Sequence, residues 1–239
     1  MSDAPEPAKR FCKEATAREV DGGFGVALDS RALKTAGGAP FIVPTRALAE
    51  ACAAEWQSQG THILPASMPI TQLAFAAIDW TAKDRSARIA YVATYGETDL
   101  CCHRADSPEA LTLRQAAAWD PLIAFGAREL GVALPVVTGI VAARVPEAAL
   151  DKIRDHAAKL DDFRLTALSQ ATGLSGSMLI AFALLQQRLT AQAAFEAAAL
   201  DDLWSLERWG EDGEARARLG RMRAEFDALA HFVAALSEQ

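Results

Sequence analysis

Between Glu14 and Val43 the chain reads as short extended segments punctuated by glycine. Ala15 to Val20 and Phe24 to Leu28 flank Asp21-Gly22-Gly23, and Phe41-Ile42-Val43 forms a third apolar run. Glycines between such runs supply the positive φ of a tight hairpin, so an antiparallel sheet is expected. Pro44-Thr45 then opens a stretch in which Leu48, Ala49, Cys52 and Trp56 recur at helical spacing. A helix there would close the sheet, with Trp56 in the core.

After Pro65 and Pro69 the period changes to that of nearly continuous helix, beginning with Thr71 to Trp80 and Asp84 to Tyr95. Trp80 is assigned to the core with Trp56. Ser107-Pro108-Glu109 reads as an N-cap, a first-turn proline and a favourable acid, and Asp120-Pro121 repeats that signature, predicting a restart or kink. Pro135 to Val141 is β-branched and short, an isolated strand or an extended connector. Helices are then expected from Pro146 to Leu160, Asp161 to Ala171, Ser177 to Leu189, Ala191 to Trp209 and Glu211 to Leu236, with Thr172-Gly173 as one of the breaks. The fold class is α+β: a small antiparallel β-rich N-terminal domain over residues 1–70, closed by a helix, then a larger all-α domain over residues 71–239.

A chain of 239 residues with 51% hydrophobic and 23% charged side chains can bury one large core or two modest ones without disulfides or a structural metal. Its 31 acids against 24 Lys and Arg give a formal charge of -7, which argues against a nucleic-acid partner and favours a basic or neutral one. Four cysteines, two of them adjacent, do not make a secreted framework, and the acidic, proline-bearing N-terminus does not read as a signal or transit peptide. The longest apolar run, Met178 to Leu185, is far short of the ~20 residues that span a bilayer. A protein of the bacterial cytoplasm, monomeric when free and not inserted in a membrane, is expected.

Candidate chemistry is sparse. Cys101-Cys102-His103 offers ligand types for a metal, but adjacent cysteines diverge and no second cluster supports them, so a buried structural role is expected. Thr172-Gly173-Leu174-Ser175-Gly176-Ser177 lacks the order of a nucleophile elbow, and Gly173 as a helix stop with Ser175 or Ser177 as the next N-cap accounts for it. No phosphate-cradling glycine loop occurs, so no nucleotide or other cofactor is expected. The acid pairs Asp161-Asp162, Asp201-Asp202 and Glu211-Asp212 each stand near a predicted helix start, where acids complement the dipole. Trp204 and Trp209 sit among Asp201, Asp202, Glu207, Arg208, Glu211, Asp212 and Glu214, which suits a protein-binding hot spot or, equally, packing inside the helical domain. Polar and aromatic residues also gather between Tyr95 and Pro121, with Asp99, Arg104, Trp119 and Asp120 the candidates for a cleft.

The series Leu28-Asp29-Ser30-Arg31, Leu33-Lys34-Thr35, Pro44, Leu48-Ala49, Glu55-Trp56, Gln59, Met68-Pro69-Ile70-Thr71 and Asp79 resembles the N-terminal part of the ATP-twelve chaperones. The resemblance continues through Tyr95, Thr98-Asp99-Leu100, Arg104, Gln115, Trp119-Asp120-Pro121 and Gly139, and closes with Trp209-Gly210-Glu211. Two positions depart from it: the family usually has Gly where Ser30 stands and an aromatic where His103 stands. The resemblance implies an assembly factor of the ATP synthase catalytic head, without enzymatic activity, that holds the free alpha subunit until the beta subunit displaces it. It also implies an acidic C-terminal segment important for that action, for which both Glu211 and Glu214 are candidates beside Trp204 and Trp209. The alternative is a small enzyme with Asp99, Arg104 and Asp120 in a cleft between the two domains.

Overall fold

The structure, a computed structural model, describes residues 8–139, 143–210 and 212–237. The chain divides into two compact units, residues 1–83 with 231–239 and residues 84–230. The helix after residue 69 and the last turns of the chain thus group with the N-terminal sheet.

In the first unit, β1 (Ala15–Val20), β2 (Gly23–Leu28) and the two-residue β3 (Arg31–Ala32) form an antiparallel sheet in that order. The hairpin pairs Val20 with Gly23, and a Cβ at Gly23 would stand 2.5 Å from the Val43 carbonyl oxygen, so only glycine fits where Phe24 bridges to Val43. Helix α1 (Arg46–Gln57) packs on β1 and β2. The Thr45 hydroxyl caps it, accepting from the Leu48 N–H at 3.2 Å and donating to the Ala235 carbonyl at 2.7 Å. Helix α2 (Pro69–Ala76) starts with proline, and the Glu55 carboxylate accepts from the Ile70 and Thr71 N–H groups at 2.8 and 2.7 Å. One carboxylate thereby satisfies two of the orphan donors at a helix N-terminus. A π turn, Ala77–Thr81, follows. It buries Ala77, Asp79 and Thr81 and leaves Trp80 64% exposed, so Trp80 is not a core residue as the helical spacing implied. The extra residue in a π turn rotates the buried face away from the expected phase.

The second unit contains α3 (Arg85–Thr94), β4 (His103–Arg104), α4 (Glu109–Phe125), β5 (Val137–Thr138), α5 (Glu147–Ala158), α6 (Asp162–Ser175), α7 (Met178–Leu185), α8 (Ala191–Ala198), α9 (Leu200–Trp209) and most of α10 (Gly213–Ala235). Helix α7 carries no polar side chain, and Met178 through Leu184 are buried, as expected for a central helix packed on α4, α6 and α8. The predicted connector after Pro135 contains β5, which pairs in parallel with β4. Several boundaries differ from expectation: α7 ends at Leu185 rather than Leu189, and the segment expected as one helix from Ala191 to Trp209 is divided into α8 and α9. Pro108 is itself the N-cap of α4, with no side-chain cap, and Asp120-Pro121 lies within one unbroken helix. Pro121 cannot donate to the carbonyl four residues back, and burial of Trp119, Leu122 and Phe125 on the same segment offsets that loss. Helix α6 runs through Thr172-Gly173 and stops at Gly176, whose φ of 70° is left-handed, before Ser177 caps α7.

Candidate functional site

Asp99, Arg104, Trp119 and Asp120 all belong to the second unit and divide into two structural groups. Asp99 is 1% exposed and accepts from the Ser177 hydroxyl at 2.7 Å, the Cys101 N–H at 3.0 Å and the Leu179 N–H at 3.1 Å. Burial pushes its carboxyl above the usual carboxylate range, opposed by those hydrogen bonds. Beside it, burial raises the Cys101 thiol well above its ordinary value and the Cys102 thiol to about 12, so neither is a thiolate nucleophile. Arg104 turns elsewhere: its Nε donates to the Cys101 carbonyl at 3.0 Å, its Nη2 meets Asp120 at 2.7 Å, and its guanidinium lies 5.2 Å from the Trp119 ring centroid. Trp119 is fully buried and donates from Nε1 to the Ala197 carbonyl at 2.9 Å. Asp99 is thus engaged at the N-terminus of α7, and Asp120 is the exposed partner of Arg104.

The C-terminal candidates cluster around α9. Asp201 and Asp202 stand in its first turn, where the helix dipole favours them, and both are engaged. Asp201 accepts from the buried Gln115 amide at 2.8 Å, and Asp202 pairs with Arg218 at 2.9 Å. Glu207 takes both Nη atoms of Arg114 at 2.6 and 2.9 Å, which holds its carboxyl below the usual range. Trp204 is half-buried, with Arg208 4.6 Å and Arg114 5.9 Å from its ring centroid, so cations flank it rather than the acids implied by sequence proximity. Trp209 ends α9 with 81% of its surface exposed, and Gly210 follows at a φ of 86°. Asp212 accepts from the Glu214 N–H at 3.2 Å at the start of α10, and Glu214 is exposed without an ion pair among the described residues. Glu211 lies outside the described residues. Trp56, the remaining candidate, is buried in the first unit at 8% exposure.

Sequence reasoning missed an open groove of about 590 Å³ in the second unit, floored by Pro121, Leu122, Leu200 and Leu203 and edged by the Arg114–Glu207 pair. Its apolar residues have the spacing of core positions, so nothing in the sequence separates them from the core. Among the described residues no cluster of His, Cys, Asp and Glu could hold a metal ion, and no helix is long and apolar enough to cross a membrane.

The chain matches the profile of the ATP12 chaperone protein family over residues 9–127. It superposes on the crystal structure of Atp12 from Paracoccus denitrificans with a TM-score of 0.90 at 38% identity, covering 96% of this chain and 98% of that one. The Atu1473 protein of Agrobacterium tumefaciens gives the same TM-score at 35% identity, over 96% of this chain and 86% of that one. The protein named atp12, mitochondrial, of Schizosaccharomyces pombe is 26% identical over 222 residues, 87% of this chain and 76% of its own. The chain belongs to the ATP12 chaperone family.

Proposed function

We propose that this protein is a non-enzymatic assembly chaperone that binds the free alpha subunit of ATP synthase in the bacterial cytoplasm. It masks the surface that beta will cover and prevents aggregation until beta displaces it. Membership of a chaperone family supports the class, and the observation that carries the binding role is Trp209, 81% exposed at the end of α9. A large aromatic left in water is costly unless a partner buries it, and Trp is among the commonest interface anchors. Glu214, exposed and without an ion pair among the described residues, and Glu211, three positions earlier in the sequence, would select a basic rim on alpha. Binding only the folded subunit stabilises it by mass action, and a larger alpha–beta contact can then displace the chaperone without nucleotide hydrolysis. The free protein is a monomer in this account. Gel filtration of refolded alpha mixed with the chaperone should give a co-migrating complex that beta dissolves. Glu211→Gln with Glu214→Gln should weaken that complex while leaving the circular dichroism spectrum unchanged, and full retention would remove those acids from the contact.

A further inference from the structure

The three-stranded sheet of the first unit has two faces of different character. Residues opposed in the register share a face: Arg18 with Gly25, Val20 with Gly23, and Ala27 with both Thr16 and Ala32. Glu19 and Phe24 belong to the opposite face, where Arg46 of α1 lies 5.1 Å from the Phe24 ring centroid and 3.7 Å from the Glu19 carboxylate. Helix α1 therefore covers the Glu19 face. The Arg18 face holds an open groove of about 410 Å³ floored by Gly25, Ala27, Ala32 and Leu33 and edged by Val20 and Ile42. Gly25 keeps that floor low: a Cβ there would stand 3.2 Å from the Phe41 carbonyl oxygen.

The charge around this groove opposes that of the whole chain. Arg18 and Lys34 line it, both are exposed, and among the described residues no carboxylate lines it. The Arg18 Nη2 donates to the Asp29 carbonyl at 3.2 Å, and among the described residues neither Arg18 nor Lys34 forms an ion pair. In a chain of formal charge -7, two unmatched cations beside an apolar floor select an apolar segment that carries acidic side chains. We propose that the Arg18 face of the sheet is a second contact for the client, seating an extended apolar segment of the alpha subunit that bears one or two carboxylates. This rests on the client proposed above. It assigns the two units different chemistry, an aromatic and acidic contact at the end of α9 and a cationic, apolar one on the sheet.

The test uses the full chain and the free alpha subunit. Arg18→Glu with Lys34→Glu should raise the concentration giving half-maximal protection of alpha from aggregation by roughly tenfold or more, equivalent to about 1.4 kcal/mol. Arg18→Lys with Lys34→Arg should protect as the wild type does, since charge is kept. A photo-crosslinking residue in place of the exposed Ala32 should label alpha at a segment in which Asp or Glu interrupts apolar residues. That readout remains decisive if charge reversal disturbs the sheet. Undiminished protection by the charge-reversed variant, or crosslinking only to a second copy of this chain or within it, overturns the proposal while leaving the client intact. Failure of the wild type to protect alpha overturns the client and this contact together.

Discussion

Removing the carboxylate of Asp99 should damage the second unit by an amount that its neighbours set. Asp99 is 1% exposed, and its two oxygens accept from the Ser177 hydroxyl and the Cys101 and Leu179 N–H groups. In Asp99→Ala these three donors lose their acceptor, at about 1–3 kcal/mol each in buried surroundings. Part of that gross cost is returned because a carboxylate no longer has to be desolvated, the same penalty that raises its pKa. The net loss expected is about 3–5 kcal/mol, and Asp99→Asn, which keeps one acceptor oxygen, should lose about 1–3 kcal/mol. The pH dependence has a definite sign. The folded-state pKa lies above the unfolded value of ~3.9, so the group's stabilising contribution is full below ~3.9 and is lost as pH rises through the folded value. The stability gap between wild type and Asp99→Asn should therefore widen from neutral pH toward ~4. Urea unfolding followed by circular dichroism at several pH values measures both quantities. A loss for Asp99→Ala below about 1 kcal/mol, or a gap that narrows toward acid, would refute the account of this site.

Trp209→Ala should change stability by no more than about 0.5 kcal/mol, since the side chain is 81% exposed, yet weaken alpha binding by about 2 kcal/mol, read as a ~30-fold rise in Kd. Trp56→Ala should cost about 3–5 kcal/mol in urea unfolding, whereas Trp56→Phe should cost under about 1.5 kcal/mol. Both variants delete Nε1, which is buried without a hydrogen-bond partner among the described residues, so the difference lies in packing: phenylalanine keeps most of the buried ring whereas alanine leaves a cavity. The Glu207 carboxyl should titrate below its ordinary value of 4.5 by NMR and move up in Arg114→Ala, because the hydrogen bonds from Arg114 lower it. A lowered folded pKa means that this contribution is present above the unfolded value and disappears as pH falls through the folded one.

Local signals carried far into the fold. Gly22-Gly23 between alternating runs located the hairpin, and Thr45 and Asp84 marked helix starts because their side chains accept from the Leu48 and Ala87 N–H groups. What stayed illegible depends on packing that no local window contains. Gly173 reads as a helix stop, yet it lies inside α6, where a Cβ would come 2.6 Å from the Tyr91 hydroxyl oxygen, so this glycine makes room for the Tyr91 side chain. The parallel pairing of His103 with Val137 joins residues far apart in sequence, and the π turn that exposes Trp80 has no motif to announce it. At the candidate site, the sequence could place Trp204 and Trp209 among charges but not tell them apart. The guanidiniums over Trp204 come partly from α4, and only folding shows that Trp209 is left uncovered.

The proposed task of this chain is to hold free alpha and surrender it to beta. Light scattering of the cognate alpha subunit, diluted from denaturant with an equimolar amount of the protein and no nucleotide, tests it most directly. Suppressed scattering is expected, followed on addition of beta by loss of the chaperone complex and appearance of an alpha–beta species. Unchanged aggregation of alpha, or protection that beta cannot relieve, would contradict it.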